Sequence, residues 1–132
     1  MCTNSSQYVK RLCNSEILKI IRNLLDTSYT AIQEAATILL GNIVKVYANP
    51  SKLCSKMDKF DSFIRTSVMS RDFISRLIRM IVIPNQAEHL LKACFWCLSQ
   101  YTNEIQLSGD DCMQILSAVN IILNETVSFH FS

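Results

Sequence analysis

Residues Ile17 to Ile43, ILKIIRNLLDTSYTAIQEAATILLGNI, can be laid over Ile74 to Tyr101, ISRLIRMIVIPNQAEHLLKACFWCLSQY, with one single-residue insertion. Both segments read as a short apolar helix, a break, and a longer, almost wholly apolar helix. In the first, Ile17, Ile20, Ile21, Leu24 and Leu25 recur at helical spacing. One such unit has no means of burying its own hydrophobic face. Its recurrence therefore predicts stacked helical repeats that cover one another and present a binding surface.

Punctuation on either side of these segments extends the pattern. Asn14 and Ser15 suit the N-cap of the first helix, and Thr30-Ala-Ile-Gln33 has the form of a capping box, with Ser28 an alternative start. Apolar residues then run to Tyr47, and Asn49-Pro50 ends this helix and opens another. Leu53, Met57, Phe60, Ile64 and Val68 form a single apolar stripe through Ser51 to Met69, a basic segment of one helix or two. Ser70 opens RDFISRLIRMIVI, Pro84-Asn85 interrupts it, and Asn85-Gln-Ala-Glu88 has the capping-box form before HLLKACFWCLSQY. Lys92 is the only charge between Leu90 and Tyr101, so this helix is expected on the inside, covered on more than one side. Ser108-Gly-Asp-Asp111 caps a last helix, Cys112 to Asn124, and the tail TVSFHFS shows no helical pattern. With a short helix expected around Ser6 to Leu12, the order is short, medium, long, the same three again, then a lone medium helix.

Composition is consistent with this plan. The 132 residues, 49% hydrophobic with two Gly and two Pro, suit a single domain of long helices over 1–132 and disfavour a turn-rich β sandwich. A chain of this length buries roughly two-thirds of its unfolded surface. The N-terminus lacks a secretory pattern, and the longest greasy run, Phe73 to Ile83, is broken by Arg76 and Arg79 and falls short of the about 20 residues of a bilayer span. The expectation is a soluble protein, cytoplasmic, nuclear or both, with no membrane partner. The six cysteines then read as reduced thiols and the sequons at Asn4 and Asn124 as accidental. Net charge is +2, but Lys45 to Arg79 holds eight basic and three acidic residues whereas 80–132 holds one basic and five acidic. The middle segment would steer an acidic partner, or is simply a solvated face.

The helix triplets resemble armadillo repeats, with units at about 6–49 and 51–103 and a partial unit at 109–124. In that family the third helix has an Ala-rich opening, an aromatic, and a Leu-Ser/Gly-Asn-Ile ending; this chain has QEAATILLGNI at Gln33 to Ile43 and KACFWCLSQY at Lys92 to Tyr101. The resemblance implies an all-α, armadillo/HEAT-like solenoid of about two to three repeats. Its offset of 57 to 58 residues exceeds the roughly 40 to 47 of such units, so the segment 51–69 must absorb the excess. Within the family the chain is similar to importin-α, whose inner helices present Trp-x-x-x-Asn along a concave groove. Trp96-Cys-Leu-Ser-Gln100 keeps the tryptophan and replaces Asn by Gln; Ile38-Leu-Leu-Gly-Asn42 keeps the asparagine without the tryptophan. The likeness implies a groove lined by Ile38, Asn42, Trp96 and Gln100, the indole lying on the stem of a bound Lys or Arg and the amides on the peptide backbone. The implied ligand is a protein or an extended basic peptide such as a nuclear localisation signal.

Each of these residues has a plainer reading. Trp96 also fits a core aromatic, and Asn42, an amide amid apolar residues, also fits a bond to a neighbouring loop or helix end. Cys94-Phe-Trp-Cys97 lies inside an apolar helix, not at a strand-to-helix turn, and has only His89 nearby as a further ligand, so core packing is expected and neither metal nor cofactor. The two histidines, His89 and His130, support no Ser-His-Asp ordering; Asp110-Asp111 reads as dipole-favoured acids; Gly41 and Gly109 are isolated. No catalysis is expected. The function expected is a protein-interaction scaffold or adaptor of armadillo type. The rivals are a compact helical bundle acting as a signalling regulator and, third, a nucleic-acid binder using Lys52, Lys56, Lys59, Arg65, Arg71, Arg76 and Arg79. About two and a half repeats leave an end uncovered, so Ile115, Val119 and Ile122 are expected to be partly exposed and the chain to self-associate or be marginally stable.

Overall fold

The computed structural model describes residues 15–47, 65–102 and 106–131, with side chains described in 16–47, 65–102 and 106–124. Regular structure among them is entirely helical: α1 (Ser15–Leu25), α2 (Thr30–Tyr47), α3 (Arg71–Ile81), α4 (Glu88–Thr102) and α5 (Gly109–Phe131), with a further helical turn at 65–68. The two segments quoted above are the hairpins α1–α2 and α3–α4. The short helix expected around Ser6 to Leu12, the cap at Asn14 and most of the stripe in 51–69 lie outside the described residues.

Two expected capping boxes do not form, and in both hairpins a glutamine bonds the preceding helix. Gln33 does not reach back to its own helix start; its Nε2 donates to the Leu25 carbonyl at 3.0 Å, tying the end of α1 to the first turn of α2. Thr27 Oγ1 donates to the Leu24 carbonyl at 2.8 Å, so two side chains satisfy the carbonyls that α1 leaves open. In the second hairpin Asn85 takes φ 58°, the left-handed region that asparagine tolerates, and so belongs to the turn, not to a cap. Gln86 Nε2 then donates to the Met80 carbonyl at 2.9 Å while its Oε1 accepts from the Ala87 N–H at 3.2 Å. In each hairpin a glutamine closes the connection by serving the preceding helix. The expected cap at Ser108 does form, its Oγ accepting from the Asp111 N–H at 3.2 Å.

Pairwise contacts fix the direction of the helices. Along the α2–α4 interface, Glu34 meets His89, Thr37 meets Cys94 and Gly41 meets Trp96, so the partner advances as the chain ascends and the two helices run parallel. Between α1 and α3, Arg22 Nε lies 2.7 Å from Asp72, and Arg76 lies 3.1 Å from Asp26 and 3.0 Å from Asp72, while the Arg22 guanidinium carbon sits 5.7 Å from the Phe73 ring centre. These two helices are parallel as well. One hairpin is thus laid beside the other with corresponding helices in the same sense, α2 against α4 being the most extensive contact.

The core lies between these hairpins. Leu18, Ile21 and Leu25 of α1, Leu40, Val44 and Tyr47 of α2, Phe73, Ile74, Leu77 and Ile78 of α3, and Leu90, Cys94, Cys97 and Tyr101 of α4 are all buried. Transfer of such side chains from water contributes about 1.5–3 kcal/mol each before entropy is counted. The turn at 65–68 is bound to both long helices: Tyr101 Oη donates to the Val68 carbonyl at 2.7 Å, and Arg65 Nε to the Tyr47 carbonyl at 3.1 Å. Arg65 thereby supplies positive charge at the C-terminus of α2.

α5 departs from expectation at its end, continuing past Asn124 to Phe131. The β-branched and hydroxyl residues of TVSFHFS blur the helical pattern, but no Gly or Pro follows Gly109, so propagation continues. It packs on α3, where Arg71 and Asp111 form a two-bond ion pair, Nη2 to Oδ1 at 3.0 Å and Nη1 to Oδ2. Ile115, Val119 and Ile122 are half-buried, as expected of an uncovered end.

Candidate functional site

Parallel packing of α2 and α4 leaves a furrow between them on the face opposite the core. Gly41 permits it: a Cβ there would come within 2.9 Å of Cε3 and Cη2 of Trp96 and closer still to Cζ3, so the indole rests directly on the α2 backbone. The result is an open groove of about 420 Å³ lined by Glu34, Ile38 and Asn42 of α2 and by His89, Lys92, Ala93 and Trp96 of α4. On α2 the lining residues are spaced by four, and on α4 by three and four, so each set occupies one helical stripe.

Three of the four residues expected to bind a partner share this groove. Ile38 is 41% exposed and Trp96 36%, and Asn42 is exposed between them. Exposure removes the need for Asn42 to bond inside the core, the alternative its position in an apolar helix had suggested. Trp96 is not the core aromatic of its plainer reading: one edge packs on Gly41 and the rest is open to the groove. Gln100 does not line the groove; it is half-buried one turn further along α4, its Nε2 3.4 Å from Ser99 Oγ.

Four lining residues were not singled out from the sequence. Glu34 and His89 face each other across the groove at 3.6 Å, and Lys92 pairs with Glu88 at 3.2 Å along α4. Their convergence depends on the parallel register of two helices; a repeat alignment carrying that register would have placed Glu34 near the start of α4. The site is thus amphipathic, an indole and an isoleucine flanked by one carboxylate, an amide, an imidazole and an ammonium.

Beneath the groove Cys94 and Cys97 are buried free thiols on the opposite face of α4. Burial pushes the Cys94 thiol up to about 12, a hydrogen bond with Thr37 opposing the shift, and burial with the neighbouring Cys94 raises Cys97 further. Such thiols are poor nucleophiles and poor ligands. Among the described residues no group of three or more His, Cys, Asp or Glu is arranged to hold a metal ion, and no helix is long and apolar enough to cross a membrane. Compared with protein-family models, curated proteins and solved structures, the chain matches none.

Proposed function

We propose that the chain is a non-catalytic interaction module of armadillo type, two helical hairpins stacked in parallel and extended by α5, that binds an extended peptide along the α2–α4 groove. The observation that carries this reading is the meeting of Ile38, Asn42 and Trp96 in one open groove, because these are residues that the importin-like Trp-x-x-x-Asn resemblance implies for a peptide groove. In this reading a Lys or Arg stem of the peptide lies on the exposed indole, a contact worth about 0.5–1 kcal/mol at an exposed site, and its charge is met by Glu34. The Asn42 amide offers both a donor and an acceptor to the peptide backbone. A transport adaptor and a general scaffold both use such a groove, and the absence of the full Trp-x-x-x-Asn pair from either hairpin favours the scaffold.

Trp96 is the single tryptophan, so its fluorescence reports on this groove alone. Titration with a library of extended basic peptides should shift that emission saturably, while acidic counterparts should not. Asn42→Ala and Ile38→Lys, both at exposed positions, should weaken binding of a basic peptide tenfold or more with helicity unchanged. Binding that persists in both variants, or no binding by any basic peptide, would remove the groove reading.

A further inference from the structure

The side of α5 turned away from α3 carries an uncharged apolar stripe. Asp111, Ile115 and Ala118 face the core, whereas Met113 is 66%, Leu116 59% and Leu123 55% exposed, with exposed Asn120 between the leucines. Positions 113, 116, 120 and 123 follow the alternating three-and-four spacing of a two-helix seam. From Cys112 to Asn124 the helix carries no charge, so a charged partner would gain nothing on this stripe and a second uncharged one would meet no repulsion.

Asn120 selects among uncharged partners. An unrelated apolar surface laid on the stripe would bury its amide without a mate, which is costly. An identical helix running in the same sense places a second Asn120 opposite the first, where each amide donates to and accepts from the other; a single asparagine in such a seam fixes a parallel, two-stranded register. We infer that α5 pairs in parallel with α5 of a second copy of this chain, in a two-fold symmetric dimer whose seam is Met113, Leu116, Asn120 and Leu123. The two α2–α4 grooves, on other helices, remain open in this dimer.

Sedimentation equilibrium of the full chain tests the pairing, and the expected mass is twice the 15.1 kDa of one chain. Leu116→Glu with Leu123→Glu should raise the dimer dissociation constant at least a hundredfold while keeping helicity, since both side chains are exposed in the single protomer. Direction is tested by Met113→Cys in a Cys112→Ser background, which on mild oxidation should give a covalent dimer absent from Cys112→Ser alone; this holds even should the double glutamate variant fail to fold. A mass of one chain at about 100 µM, a dimer indifferent to the leucine substitutions, or a dimer in which Met113→Cys never cross-links would each overturn the inference.

Discussion

At Gly41 a missing Cβ lets the Trp96 indole lie on the backbone of α2, and the groove exists because of that approach. Replacing Gly by Ala inside a helix ordinarily gains about 1 kcal/mol of propensity. Here the added methyl collides with the indole ring, which must shift to admit it, and overpacking of this kind costs about 1–3 kcal/mol. Gly41→Ala should therefore lower the unfolding midpoint and red-shift the tryptophan emission as the indole swings outward; a stabilised protein with unchanged emission would contradict the geometry. The thiols behave oppositely to the groove. With its folded value raised to about 12, Cys94 stays protonated in the native state, so its contribution to stability is full below the ordinary thiol range near 8.5 and is lost as pH climbs from there toward 12. At pH 8 native-state alkylation followed by mass mapping should modify exposed Cys112 quickly and leave Cys94 and Cys97 intact.

Between elements, the attachment of α5 rests on Arg71 and Asp111, separated by forty positions. The guanidinium holds the Asp111 carboxyl below its ordinary value, so this contribution is present above the usual carboxylate range and is lost as pH falls through the lowered value. Asp111→Asn should consequently destabilise the protein near neutrality and progressively less as pH falls below the usual carboxylate range, with faster amide exchange in α5 than in α4. A pH-independent loss would show that the pair does not secure the helix. The same contrast explains what could be read in advance. Helix spans followed from local periodicity and from breaks such as Asn85, and Ile38, Asn42 and Trp96 were visible through the Trp-x-x-x-Asn resemblance, which also named Gln100, outside the groove. Side chains that serve another element were not: Gln33 has the local form of a capping-box member but bonds the preceding helix, Gln86 does the same with no local sign of it, and neither Arg71–Asp111 nor Glu34–His89 leaves a periodic trace. The extension of α5 was hidden for a different reason, since propagation from an existing helix needs no periodic signal of its own.

For the whole molecule the sense of the helices is the discriminating fact. In an up-and-down bundle closest neighbours run antiparallel, and parallel helices sit diagonally across the core. Here α2 and α4 are parallel and make the largest contact, and α1 and α3 are parallel and joined by Arg22, Asp26, Asp72 and Arg76. The carboxylates of that network are partly exposed while Arg76 is largely covered, so the network fixes the register of one hairpin on the other. The proposed solenoid requires stacking of this kind; α5 lies against α3, with Arg71 and Asp111 paired near their starts and Ile81 and Ala118 lining one cavity further along. Small-angle scattering on the Leu116→Glu/Leu123→Glu variant, chosen to keep the particle monomeric, should give a radius of gyration above the about 14 Å of a compact 132-residue globule and an asymmetric pair-distance distribution. A symmetric distribution at the compact value would mean that the hairpins close on each other as a bundle, and the exposed α2–α4 groove would then lose its architectural basis.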